Sequence, residues 1–184
     1  MEMQHKEEEM MVANGGSRLR RMDAATRFLA LALTLAAAVV LGVNKQTTTI
    51  LVKINPSIPP VDMRITAKWI QMSAFVYFVI INAIACSYTT ISLMFTLATR
   101  GRKKNVSVMV TVLDLVMVAL LFSAIGASGA VGLIGYTGNS HVQWREVCNV
   151  FDKFCHQAAV AMGLSFIGSM AYLLLVIFGI YKKL

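Results

Sequence analysis

The stretch that decides the fold is Val-Met-Val-Thr-Val-Leu-Asp-Leu-Val-Met-Val at residues 108–118, which places one carboxylate inside a long apolar run. That run covers about 106–133, and a membrane span needs only about 20 predominantly apolar residues. Because a backbone in lipid must satisfy its own hydrogen bonds, the run is predicted to be an α-helix. Asp114 then lies within a span, where an acid costs about 2.5–3.5 kcal/mol on insertion scales and requires a partner.

Three further apolar runs of comparable length accompany this one, at about 24–43, 69–99 and 157–181. The composition agrees, because 57% of the 184 residues are hydrophobic and only 14% are charged, whereas soluble domains carry about 25% charged residues. The predicted fold class is all-α, a four-helix transmembrane bundle formed by residues 24–184. The polar stretch at 1–23 is predicted to be a disordered cytosolic tail.

Lysine and arginine are unevenly distributed among the predicted connections. The tail through Arg27, the connection at 100–105 and the C-terminus carry 11 of them, and the connections at 44–68 and 134–156 carry 6. The richer side is expected to be cytosolic, which places both termini in the cytosol and the other two loops outside. The net charge of +8 comes from these short clusters beside apolar runs, so we expect contact with anionic membrane lipids and no nucleic-acid partner.

Arg27, in the first span, is the predicted partner of Asp114. Asp114 lies about 12 Å below the cytosolic end of its helix, and Arg27 is near the same side of the membrane. The alternative is that Arg27 snorkels to lipid phosphates. A buried pair could serve only to fix helix register and assembly. A transport path usually shows a series of ionisable groups, and the predicted spans contain no His, Lys or Glu at depth.

Small residues recur at four-residue spacing in three of the predicted spans. These are Ala30, Thr34, Ala38 and Gly42 in the first, Gly126 and Ala130 in the third, and Ala161, Ser165 and Ser169 in the fourth. Small side chains at this spacing let helices approach closely in lipid. We predict that they pack within the bundle, and the alternative is that one face serves a dimer or higher oligomer.

Cys148 and Cys155 lie in the second outside loop, where an oxidising compartment would allow a disulfide. Seven positions on a straight helix rise about 10.5 Å, but the Cα atoms of a disulfide are about 4.4–6.8 Å apart. The bond therefore requires a turn or break between the two cysteines. The alternative is a metal site completed by His141 and His156, whose spacing matches no common zinc pattern. No catalytic residue, metal or cofactor is predicted.

Several pieces of the sequence together resemble the CASP-like proteins, plant relatives of the Casparian strip membrane domain proteins, and within them subfamily 1. The pieces are Arg27 followed by residues 34–47, Ser73–Phe78, Asn82–Cys86, Asp114, and the loop with Gly138, Asn139, Trp144, Cys148, Phe154 and Cys155. The first outside loop departs from the Casparian strip members, which carry an acidic, Phe-rich stretch where this chain has Thr47–Pro56.

The resemblance implies a MARVEL-like four-span bundle in the plasma membrane. It also implies homo-oligomers, hetero-oligomers with related family members, and scaffolds that recruit wall-modifying enzymes. The function expected from it is a non-enzymatic scaffold that self-associates into membrane domains and organises local cell-wall modification. The alternative expectation is a small channel or transporter that uses Asp114.

Overall fold

The computed structural model describes the chain in five stretches, at residues 2–52, 61–98, 104–138, 141 and 146–181. Side chains are placed within these stretches at 18–49, 62–97, 106–138, 141 and 146–181. The elements, in chain order, are α1 (Glu2–Gly42), β1 (Lys45–Val52), β2 (Val61–Lys68), a 3₁₀ turn (Trp69–Gln71), α2 (Ser73–Ala98), α3 (Lys104–Thr137) and α4 (Asp152–Tyr181).

Four helical segments are long and apolar enough to cross a membrane. They are Arg18–Gly42, Ser73–Leu97, Val106–Thr137 and Asp152–Tyr181. With 25 to 32 residues each, they rise roughly 37–48 Å, which exceeds the hydrocarbon thickness of about 30 Å. The predicted class, a four-helix transmembrane bundle, is confirmed.

The element boundaries differ from the predicted ones at several places. α1 begins at Glu2, so residues 2–23 are helical in the structure rather than disordered. This stretch is rich in Glu, Met and Arg, which are good helix formers, and it only has to extend a helix that the span has already nucleated. The loop predicted at 134–156 is also shorter, because α3 continues to Thr137 and α4 begins at Asp152.

The loop between the first two spans forms an antiparallel hairpin of β1 and β2. Its register runs from Lys45 opposite Lys68 to Val52 opposite Val61. The β-branched run Thr47–Thr49 fits a strand better than a helix. Both strands are extended, while the prolines of this loop at 56, 59 and 60 lie outside the described residues.

The helices are arranged in a ring, in which extensive contacts join α1 to α2, α2 to α3, α3 to α4 and α4 to α1. α1 therefore lies opposite α3, and α2 lies opposite α4. Large apolar side chains fill the centre, with Leu41, Phe78, Leu121 and Leu175 almost fully buried. Inter-helix contact in lipid depends on close packing, because lipid tails are as apolar as the side chains.

The buried face of α1 differs from the predicted strip. Ala30 and Thr34 are fully buried, but the strip then continues through Ala37 and Leu41, while Ala38 and Gly42 are only partly buried. The reason is helical geometry, because each four-residue step turns about 40° too far at 3.6 residues per turn. A strict spacing of four therefore leaves the packed face after two turns.

The small residues that were predicted to pack within the bundle do so on α4 but not on α3. Gly126 and Ala130 on α3 are exposed on the outside of the bundle, so the prediction that they pack within it is corrected. The inner face of α3 instead carries Leu121, Ala124 and Ser128. On α4 the structure buries all of the predicted residues, which are Ala161, Ser165 and Ser169.

α4 packs closely against α1 at Gly168. A Cβ atom at this position would lie 3.2 Å from Thr34 Cγ2 and 3.5 Å from Leu33 Cβ. We predict that Gly168→Leu destabilises the bundle by about 1–3 kcal/mol, because an added side chain overpacks this contact. The measurement is reversible unfolding in detergent.

Gly163 on the same helix supplies the matched control. A Cβ there would meet nothing within 4 Å, so Gly163→Leu is expected to leave the unfolding free energy unchanged or slightly raised. Equal destabilisation by the two changes would show that α4 does not pack on α1 through Gly168.

Candidate functional site

Arg27 and Asp114 form a salt bridge in the interior of the bundle. Arg27 Nη2 lies 2.9 Å from Asp114 Oδ2, and Arg27 Nη1 lies 3.2 Å from Oδ1. The two side chains are only 2% and 1% exposed. A bidentate pair of this kind is among the stronger hydrogen-bonded interactions. It joins α1 to the opposite helix, α3, so the structure places Arg27 in the pair and not at the lipid phosphates.

Two further side chains complete the surroundings of this pair. The Tyr88 hydroxyl, from α2, lies 2.7 Å from Asp114 Oδ1 and 3.2 Å from the Val110 carbonyl oxygen. Asp23, one turn before Arg27 on α1, accepts from Arg27 Nε at 3.5 Å. A buried pair repays its desolvation only when its remaining donors and acceptors are also bonded. The site therefore links three helices through one carboxylate.

The space beside the ion pair is small. A cavity of about 20 Å³ is lined by Asp23, Arg27, Thr111 and Asp114, among others. A water molecule needs about 10–15 Å³ by this kind of measure, so the cavity has room for about one water. The arrangement can hold a structural water beside the carboxylates, and it is too small to hold an organic ligand.

A second set of polar contacts joins the other pair of opposite helices. The Tyr172 hydroxyl, on α4, donates to the Ala85 carbonyl at 3.0 Å and contacts the hydroxyl of Thr89. Ser165 donates to Asn82 Oδ1 at 3.0 Å. This link was not predicted from the sequence. Its signal was the seven-residue spacing of Asn82 and Thr89, which places two polar side chains on one helix face.

Cys148 and Cys155 form a disulfide at the hairpin end of the bundle, with Cα atoms 5.7 Å apart. The required turn is present, because residues 148–150 turn before α4 begins at Asp152. The bond uses both thiols that the alternative metal site would need. Among the described residues, no group of three or more His, Cys, Asp or Glu side chains could hold a metal ion.

Hydrogen bonds tie the region around this disulfide to α3 and to the base of the hairpin. Val147 N donates to the Gly135 carbonyl of α3 at 2.8 Å. Asn44 Nδ2 donates to the Phe154 carbonyl at 2.9 Å, and Phe154 N donates to Gln46 Oε1 at 2.8 Å. The hairpin base, α3 and the start of α4 therefore form one hydrogen-bonded unit.

Gly138 ends α3 in a left-handed conformation, with a φ of 68°. Its N–H donates to the Ile134 carbonyl at 2.9 Å, which is the hydrogen bond of a glycine helix cap. The glycine at position 138 of the sequence pattern is therefore explained by the left-handed backbone conformation that ends α3. The other two loop residues singled out by the sequence, Asn139 and Trp144, lie outside the described residues.

The hydrogen bond from Tyr88 to Asp114 yields a prediction. Tyr88→Phe removes a bond to a buried charge and is expected to lower the unfolding free energy by about 1.5–3 kcal/mol. Tyr77→Phe is the matched control, because the Tyr77 hydroxyl makes a long, exposed contact of 3.4 Å with Ser123. Equal stability of the two variants in detergent would contradict a role for Tyr88 in holding Asp114.

Comparison with known proteins agrees with the resemblance noted from the sequence. Residues 16–171 match the family model of the Casparian strip membrane protein domain. CASP-like protein 1E2 of Vitis vinifera is 55% identical over 175 residues, covering 95% of this chain and 89% of that protein. CASP-like protein 1E1 of Glycine max is 49% identical over 180 residues, covering 98% of this chain and 96% of its own.

CASP-like protein 1E2 of Arabidopsis thaliana is 47% identical over 183 residues, covering 99% of this chain and 93% of that protein. No solved structure matches the chain. The names of these relatives denote membrane proteins and include no enzymatic activity. The chain is a multi-pass membrane protein that belongs to the CASP-like family, subfamily 1.

Proposed function

We propose that this protein is a non-enzymatic scaffold of the plasma membrane that self-associates into membrane domains and organises local cell-wall modification. The family supports this proposal, and so does the way the bundle uses its polar groups. Arg27, Asp114, Tyr88 and Tyr172 all bond to other helices in the interior. They hold the helices together and leave the outer surface to other molecules.

The observation that carries the proposal is the small-residue strip on the outside of α3. Gly126 and Ala130 are both exposed there, and a Cβ atom at Gly126 would meet nothing within 4 Å. Leu133, which follows them, is 62% exposed. Small residues on a lipid-facing surface allow a helix of another molecule to approach closely. This strip is therefore the proposed contact between copies.

The proposed partners follow from this surface and from the topology. A second copy gives a homodimer or higher homo-oligomer, and related family members with the same fold give hetero-oligomers. The proposal has both termini in the cytosol, which the cluster of Arg18, Arg20 and Arg21 at the start of the first membrane segment supports. The hairpin end then faces the wall, where it is in position to meet wall-modifying enzymes.

The second candidate function is a small channel or transporter that uses Asp114, because an ionisable group within a span is by default a functional hypothesis. Two observations make this candidate function weaker than the scaffold. Both carboxylate oxygens of Asp114 are engaged by Arg27, and Tyr88 bonds one of them as well. The adjoining cavity has a volume of only about 20 Å³.

Self-association is tested by photobleaching of the tagged protein at native expression level, together with crosslinking in the same membranes. We expect slow, incomplete recovery and crosslinked oligomers for the natural sequence. The double change Gly126→Leu and Ala130→Leu fills the strip on α3 and is expected to raise the mobile fraction several-fold and to remove the oligomers. Gly163→Leu, an exposed glycine of α4 with free space around it, is the matched control and should change neither.

Rapid recovery of the natural protein, together with a monomer in crosslinking, would contradict the scaffold. The channel candidate is separated from it by flux into proteoliposomes. Flux that disappears in Asp114→Asn while the oligomers persist would favour transport.

A further inference from the structure

The two faces of the hairpin differ in what they contact. The hydroxyls of Thr47 and Thr66 lie 3.0 Å apart, so these two side chains share one face. Side chains alternate between the faces along a strand, so Gln46 and Thr48 belong to the other face. Both bond to α4 or to the connection before it, Gln46 to a backbone N–H at 2.8 Å and Thr48 to a backbone carbonyl at 3.4 Å. The face of Thr47 and Thr66, which we name the outer face, therefore points away from the bundle.

The outer face is cationic. By the same alternation it carries Lys45, Arg64 and Lys68, and all three side chains are exposed. No salt bridge joins any of these cations to another described residue. Lys45 and Lys68 are partners in the strand register, and like charges directly opposite one another destabilise a strand pair. An anionic ligand on this face would offset that cost.

The cations are spread along the hairpin and not gathered at one point. Lys68 and Arg64 are four residues apart on β2, so their Cα atoms are separated by about 13 Å. Thr66 lies between them, and its hydroxyl partner Thr47 lies beside it on β1. Asp62, the one acid of the two strands, lies beyond Arg64 toward the tip. A ligand that reaches both cations of β2 must carry negative charges along an extended chain, with hydrogen-bonding groups between them.

The position of the outer face narrows the class of ligand. The first membrane segment ends at Gly42, three residues before Lys45, so the hairpin begins where the span ends. This end of the bundle faces the wall in the proposed function, on which the present inference rests. A chain of uronic acids carries a carboxylate on each sugar and hydroxyl groups between the carboxylates. We infer that the outer face binds an acidic wall polysaccharide of this kind.

The test measures binding of the full chain, in phosphatidylcholine nanodiscs, to immobilised polygalacturonate in calcium-free buffer. Fully methyl-esterified polygalacturonate is the comparison, because it keeps the sugar chain and loses the charge. We expect binding to the acid form alone, and we expect it to weaken as salt is raised, because exposed charges are screened. Equal binding to the two forms would overturn the inference.

Substitutions locate the binding on the outer face. An exposed ion pair is worth about two- to fivefold in affinity, so Arg64→Gln should weaken binding by that factor. Adding Lys45→Gln and Lys68→Gln should weaken it about 10- to 100-fold in total. Lys153→Gln is the matched control, because it removes an exposed cation of α4 at the same end of the bundle, and it should change nothing.

Unfolding of the triple variant in detergent should match that of the natural protein, which separates lost binding from lost structure. Unchanged affinity of the triple variant, or an equal loss with Lys153→Gln and Arg64→Gln, would contradict the assignment to this face.

Two soluble competitors distinguish the polysaccharide from other carboxylates. Polyglutamate is an extended acidic chain without sugars, and equal affinity for it would show that the face recognises an acidic protein segment instead. Free galacturonate is expected to displace the polymer poorly. Displacement by the monomer at the same uronate concentration would show that single carboxylates bind and that the extended chain has no role.

The placement of the hairpin is tested separately. Thr49→Cys puts a thiol on the exposed outer face, and a membrane-impermeant maleimide should label it in intact protoplasts, with the natural sequence as the unlabelled control. Labelling only after permeabilisation would overturn the wall-side placement and the polysaccharide with it. A monomer in crosslinking that still binds polygalacturonate would remove the self-associating scaffold and support this binding site.

Discussion

A carboxylate in the interior of a membrane bundle must be compensated, and the rest of this structure depends on how Asp114 meets that requirement. Its partner, Arg27, is on the opposite helix, with the two side chains joined by bonds of 2.9 and 3.2 Å. Moving either helix by one residue along its axis shifts a side chain by about 1.5 Å and turns it by about 100°. The pair therefore fixes the register of α1 against α3, and Tyr88 brings α2 into the same arrangement.

Polar contacts join both pairs of opposite helices in the ring. Arg27 and Asp114 join α1 to α3, while Tyr172 and Ser165 join α4 to α2. Lipid supplies no hydrophobic driving force between helices, so their association depends on van der Waals packing and hydrogen bonds. Apolar contacts with small residues such as Gly168 bring neighbouring helices close together. The polar contacts decide which helix lies across from which, and this arrangement leaves the outside of α3 available for other molecules.

The features that could be predicted from the sequence are those in which one physical rule dominates. Apolar length sets the spans, and the cost of burying Asp114 points to the nearest available cation, Arg27. The features that were missed depend on tertiary geometry. A strict spacing of four could not show that Ala37 and Leu41 replace Ala38 and Gly42 on the inner face of α1. The bond from Tyr172 to the Ala85 backbone carbonyl involves no side chain of α2, so the only sequence signal for this link was the spacing of Asn82 and Thr89. The helical N-terminal stretch extends a helix that the first span has already nucleated, so its polar composition was misleading.

The most direct measurement is a double-mutant cycle of unfolding free energy with Arg27→Met and Asp114→Leu. Each single change leaves an unpaired buried charge and is expected to cost about 3–5 kcal/mol. The double change removes both charges and should be at least as stable as the better single variant, which gives a large coupling energy. Additive losses would contradict the central place of this ion pair in the bundle, because they would show that the two residues act independently.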